Sequence, residues 1–162
     1  MSDIVFNSRV DVDVIIKDLL PTIKEVLSDG GYFRIRGGGW SMLPFIRDSD
    51  EVILTSIKTD KLRVGDILLY KRKNSQYVIH RLFSKDDGEG YSFIGDNQST
   101  IEKGITREQL LFYIVAVVRD KRIIYCEKGG YRFVMTLYMY ARVYCPVIAY
   151  RIMLPFINVI LR

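Results

Sequence analysis

Three short stretches of the chain carry side chains that can do chemistry. In Gly37-Gly38-Gly39-Trp40-Ser41-Met42-Leu43-Pro44, a serine follows the glycines and precedes a proline. Glycines let the backbone take unusual dihedrals and approach a substrate closely, and Pro44 stiffens the exit. A nucleophilic serine needs such a setting: an exposed hydroxyl, with backbone N–H groups facing the oxyanion that develops. The plainer alternative is a glycine-rich turn in which Ser41 only caps a neighbouring group. The second stretch, Tyr77–Phe83, holds His80, the only histidine in the chain. In an extended strand His80 shares a face with Val78 and Leu82, while Arg81 points the other way. An imidazole among aliphatic side chains stays neutral near neutral pH, because burial disfavours its charged form. Neutral imidazole is the form that can take a proton from serine; the competing explanation is a core histidine satisfied by one hydrogen bond. Third, Gly95-Asp96-Asn97 is ordinary turn chemistry. A carboxylate there could alternatively orient His80 and stabilise its protonated form.

The elements that would position these groups are mainly β with flanking helices, an α+β chain. Residues 11–28 read as an amphipathic helix, with Val14, Ile15, Leu19, Ile23, Val26 and Leu27 recurring at helical spacing. Pro21 is expected to kink or split this helix, and Gly30-Gly31 to stop it. Strand patterns follow over 32–36, 51–57, 66–71, 77–83 and 91–94, divided by turn-formers at Asn74-Ser75 and across Asp86-Asp87-Gly88-Glu89-Gly90. Thr106 with Gln109 reads as a capping box for a short helical turn. Residues 113–119 and 122–126 read as a hairpin about Asp120-Lys121. The chain thus divides into an amphipathic helical segment (1–31), a β-domain (32–128) and a hydrophobic helical segment (129–162).

That last segment alternates apolar runs with Arg132, Arg142, Arg151 and Arg162, and Pro146 and Pro155 interrupt it. On one ideal helix those arginines would not share a face, and each apolar run is too short to span a bilayer. Two helices packed on the body or on a partner are one expectation. Shallow membrane insertion, with arginines snorkelling to headgroups, is the other. A net charge of +5 suits an anionic surface without requiring one. Cys126 and Cys145 have neither a CxxC spacing nor a histidine beside them, so no metal site and no disulfide framework is expected. The first residues carry acids where a signal peptide needs a basic start, and no long apolar run occurs. A cytoplasmic protein, or one peripheral on the cytoplasmic membrane, is expected.

Taken in order, the three stretches form a resemblance. Gly39-Trp40-Ser41-Met42-Leu43-Pro44 resembles the GxSMxP box of the signal peptidase I superfamily of serine peptidases (families S24 and S26). Asp48-Ser49-Asp50-Glu51-Val52-Ile53-Leu54 is similar to the GD-x-hydrophobic strand that follows that box. Val64-Gly65-Asp66-Ile67-Leu68-Leu69-Tyr70 is similar to its VGDIVxY segment, Ile79-His80-Arg81-Leu82 to VHRV, and Gly95-Asp96-Asn97-Gln98 to GDNN. Together these boxes cover roughly residues 32–125. Bacterial signal peptidases and the self-cleaving repressors use a serine–lysine dyad; the branch of the endoplasmic reticulum and archaea has histidine instead. His80 is similar to that branch.

The resemblance implies Ser41 as nucleophile, His80 as general base and Asp96 as the acid that orients it, with Glu102 as a second possible acid. Gly39, Trp40 and Met42 would border the oxyanion site and substrate groove. Gly39 stands where relatives often carry a hydroxyl, so backbone N–H groups such as that of Ser41 would bind the oxyanion. No cofactor is implied. The substrate would be a peptide or preprotein held as an extended strand, cut behind a leader or signal segment. A catalytically inactive relative that binds peptides or membrane surfaces is the alternative. A repressor would need a helix-turn-helix, and the residues before the β-region hold one helix only, so no nucleic-acid partner is expected.

Overall fold

A computed structural model describes residues 12–86 and 90–160. The expected turn at Asp87-Gly88-Glu89, the side chains of Val14 and Ile15, and Arg162 lie outside the described residues. Helix α1 spans Val12–Ser28 and runs unbroken through Pro21. Ile23 and Leu27 are buried, as the spacing predicts; Ile16, outside that set, is buried beside them, and Val26 is exposed. Gly30 follows with φ +76°, the left-handed conformation that ends helices cheaply only at glycine.

Eight strands follow: β1 (Phe33–Arg36), β2 (Glu51–Thr55), β3 (Ile67–Lys71), β4 (Tyr77–Asp86), β5 (Gly90–Ile94), β6 (Glu102–Ile105), β7 (Leu110–Arg119) and β8 (Arg122–Tyr125). They form one antiparallel sheet in the order β1-β2-β7-β3-β4-β5-β6, and β8 pairs with β7. Strand β7 pairs with β3 through its first residues and with β2 through its later ones. β3 and β4 form a hairpin with Leu68 opposite His80 and Tyr70 opposite Val78. Its turn carries Ser75 at φ +70°, and the Asn74 side chain accepts from the Gln76 N–H. Asp120 and Lys121 both have positive φ, the primed geometry that a tight hairpin requires. Two expectations change here. β6 was not foreseen, because Glu102-Lys103-Gly104-Ile105 alternates no apolar residues. β4 extends three residues past Phe83, since its polar end pairs with β5.

Helix α2 (Gly129–Tyr144) ends at Cys145, where Pro146 cannot continue the ladder. A short α3 (Pro146–Ile148), a π-turn (Ala149–Met153) and α4 (Leu154–Ile160) then run on. Pro155 falls in the first turn of α4, where its missing N–H leaves no bond unmade within that helix. The main core lies between the sheet and the helices: Ile16, Ile23, Leu54, Leu69 and Ile114 pack with Met135, Tyr138, Ala149 and Ile157. A second cluster, on the opposite face of the sheet, holds Leu68, Tyr70, Leu82 and Phe93. Among the described residues no helix is long and apolar enough to cross a membrane.

Candidate active site

The Ser41 loop joins β1 to β2. Its turns use the N–H groups of Leu43, Phe45 and Ile46, which donate to Trp40 and Met42 carbonyls. Among the described residues no acceptor takes the Ser41 N–H. Met42, Phe45 and Ile46 are buried in the main core, which fixes the loop from beneath, while Trp40 is 78% exposed and Ser41 partly so. Gly39 has φ +88° with open space around it, so the conformation itself requires glycine.

Two buried ion pairs brace this loop. Arg119 on β7 holds the Asp50 carboxylate at 2.5 Å and donates to the Phe45 carbonyl at 2.8 Å. Arg81 on β4 binds both oxygens of Asp96, at 2.8 and 2.6 Å, and both side chains are fully buried. Arg81 also donates to the Gly65 carbonyl and lies 5.1 Å from the Phe45 ring centre. The Asp96 carboxylate is therefore committed to Arg81, on the opposite face of β4 from His80. The implied role of Asp96 as partner of His80 does not match this geometry, because residues adjacent on a strand point to opposite faces.

The turn after β5 reaches the serine through its backbone. The Ser41 carbonyl accepts from the Asn97 N–H at 2.7 Å. Gly95 lies so close that a Cβ there would sit 2.6 Å from that same carbonyl oxygen. In the β4–β5 ladder Arg81 is opposite Ile94. One residue further in that register, His80 comes level with Gly95, and so with the serine loop. Among the described residues, however, no hydrogen bond joins the Ser41 hydroxyl to the His80 ring.

His80 is 2% exposed. Its Nδ1 is 3.2 Å from the Tyr70 hydroxyl, its diagonal neighbour across the hairpin. Tyr70 in turn donates to Glu102 Oε2 at 2.8 Å. Arg72 grips Glu102 through Nε and Nη2, at 2.7–2.9 Å. Tyr70 stacks on Phe93 with ring centres 4.7 Å apart, which holds the phenol in place.

Proton counting decides the tautomer. A carboxylate only accepts and a phenol has one proton, so the Tyr70 proton goes to Glu102. Tyr70 can then only accept from His80, so Nδ1 carries the imidazole proton and Nε2 keeps its lone pair. Burial, and next the Arg72 charge, push His80 down to about 4, with the Glu102 charge opposing. Burial alone would raise the Glu102 carboxyl, but hydrogen bonds from Arg72 and Tyr70 outweigh it and hold it below the usual range. Burial and then the Glu102 hydrogen bond hold the phenol proton firmly on Tyr70. The arrangement presents an imidazole that is neutral near neutral pH, with an unprotonated Nε2 of lowered proton affinity.

Of the sequence-predicted residues, Glu102 is connected to His80 through Tyr70, and Asp96 is not. Tyr70 and Arg72 were not singled out, although the hairpin about Asn74-Ser75 places Tyr70 one diagonal step from His80. Cys126 is buried, and that burial pushes its thiol up to about 12, leaving it inert. Among the described residues no three His, Cys, Asp or Glu side chains gather as a metal site.

No curated protein matches the chain. The Peptidase S24-like family profile matches residues 7–119, which includes Ser41, His80, Asp96 and Glu102 and most of the sheet. With more than two thirds of its residues matched, over the span that carries the serine loop and the histidine strand, the chain belongs to the Peptidase S24-like family, a family of serine-peptidase type.

Proposed function

We propose that the protein is a serine endopeptidase of signal peptidase I type, which removes a leader or signal segment from a peptide or preprotein. His80 Nε2 takes the Ser41 proton as the serine oxygen attacks the peptide carbonyl carbon. The oxyanion is met by backbone N–H groups, that of Ser41 among them. The imidazolium then gives its proton to the departing amine, leaving an acyl-enzyme. Water, deprotonated by the same Nε2, attacks the ester carbonyl; the imidazolium returns that proton to the departing Ser41 oxygen, which frees the acid product and restores both side chains. Glu102, acting through Tyr70, holds the Nδ1–H tautomer and balances the positive charge that forms on the ring. Gly39 and Trp40 border the groove in which the substrate strand would lie; Met42, expected there from the sequence, is instead buried in the core beneath the loop. The observation that carries this reading is the Glu102–Tyr70–His80 chain, because it engages Nδ1 and leaves Nε2 unprotonated to accept the serine proton. Purified protein incubated with leader peptides bearing small residues before the cut should release the leader, and Ser41→Ala should not; equal cleavage by both proteins removes the proposal.

A second reading is a silent relative that binds peptides without cutting them. The missing hydrogen bond between Ser41 and His80 favours it. Reaction of Ser41 with an activated ester separates the two readings: a silent relative leaves the ester untouched while still retaining the peptide.

A further inference from the structure

The C-terminal helices present a surface that neither the sheet nor the serine chemistry uses. Among the described residues, nine of the fourteen large apolar side chains left exposed lie on α2 to α4. On α2, Phe133, Leu137 and Tyr144 stand at helical spacing, four and seven residues apart, on the side away from buried Met135, Tyr138 and Met139. Val147, Ile152 and Phe156 continue the exposure along α3, the π-turn and α4, where Ala149 and Ile157 are the buried anchors. Phe133 and Phe156 are more than two thirds exposed. So much large apolar surface in one segment marks an interaction surface.

Charge selects the partner. From Lys128 to Arg162 the sequence has one lysine, four arginines and no aspartate or glutamate. Two of the arginines are turned toward the body of the protein and are not available to headgroups. Arg132 pairs with Asp66 at 3.5 Å, and Arg142 donates to the Asp96 carbonyl. Arg151 and Lys128 remain exposed. A protein partner's apolar groove would not select a surface free of acids, whereas an anionic lipid layer would repel every carboxylate placed on it. Exposed Tyr144 and Tyr150 have the half-apolar, half-polar character that suits the headgroup boundary. No described helix can cross the bilayer, so the segment would lie on it.

We infer that α2 to α4 form a docking surface for an anionic lipid bilayer, seated through Phe133, Leu137, Ile152 and Phe156, with Lys128 and Arg151 at the headgroups. This inference is independent of the peptidase reading. Contact also reaches the site, since Arg142 on α2 holds the Asp96 carbonyl, one residue before the Asn97 N–H that binds Ser41.

The test is co-sedimentation of the full chain with vesicles of phosphatidylcholine alone and of phosphatidylcholine with phosphatidylglycerol. Binding is expected to the mixed vesicles and to fall with added salt. Arg151→Gln should lower the partition coefficient roughly fivefold, the worth of one basic residue near an anionic surface. The double variant Phe133→Glu and Phe156→Glu should lose binding more than tenfold, with an unchanged circular dichroism spectrum and thermal midpoint. Val147→Asp serves as a second, milder variant and should weaken binding in the same direction. Failure to bind the mixed vesicles, or undiminished binding by these variants, overturns the inference. So does a dimer, seen by sedimentation without lipid, that the same substitutions dissolve, because the surface would then belong to a second copy.

Discussion

At the scale of single residues, the distinguishing feature is a tyrosine inserted between histidine and its acid. Tyr70→Phe keeps the ring stacked on Phe93 but removes the acceptor for His80 Nδ1–H. It should lower kcat by about ten- to a hundredfold, less than the 10²–10⁴ a general base itself contributes, with the folded structure retained. Glu102→Gln should fall in the same range. Because His80 is the only histidine, nitrogen NMR of labelled imidazole reads its tautomer without ambiguity. The Nδ1–H form is expected in the parent protein and a mixture of tautomers in Tyr70→Phe. The pH dependence follows from burial. With His80 pushed down to about 4, kcat/KM should already be level well below pH ~6.5, where an ordinary imidazole would still be losing protons. The unfolded chain keeps that ordinary value. As pH falls from there toward about 4, protons bind the unfolded state first, so this contribution to stability is present above the window and lost within it. Comparing thermal midpoints of the parent and His80→Gln over that range measures the loss.

Among the elements, the serine loop is held by neighbours rather than by its own sequence. Breaking a buried pair strands a charge, so Asp96→Asn should cost about 3–5 kcal/mol of stability, visible as a lower urea midpoint. If Asp96 instead acted on His80, the substitution would lower turnover and leave that midpoint in place. Gly95→Ala presses a methyl group against the Ser41 carbonyl and should cut acylation while the sheet persists. These contacts explain what was legible in the sequence. Alternation placed Arg81 and His80 on opposite faces of β4, and glycine-rich turns located the loop. The partner of Arg81 was not legible, because spacing along a chain does not say which face of the next turn a carboxylate will meet. β6 escaped because a strand at the edge of a sheet, with Arg72 covering Glu102, needs no apolar alternation. The role of Tyr70 was within reach, since the hairpin turn at Asn74-Ser75 fixes the register that brings it to His80.

Across the whole molecule, one sheet serves two faces. Its helical side carries the main core and the ion pairs beneath the serine loop; its other side carries the cluster in which His80, Tyr70 and Phe93 sit. The serine loop meets the sheet near the start of β4 and the end of β5, and Gly65, whose N–H donates to the Leu82 carbonyl of β4, lets α2 approach. Gly65 has φ +93°, and a Cβ there would meet the Thr136 hydroxyl at 2.1 Å. Gly65→Ala should therefore destabilise the entire fold, by about 1–3 kcal/mol from backbone strain alone, read from the urea midpoint. The central claim is that this architecture delivers an imidazole base to Ser41. Its most direct test is the rate at which an activated ester acylates Ser41, located by mass spectrometry, in the parent protein and in His80→Gln. The expected result is a single acyl group on Ser41, formed rapidly near neutral pH and slowed by orders of magnitude in the variant. Equal rates in the two proteins, or acylation at another residue, would contradict the account.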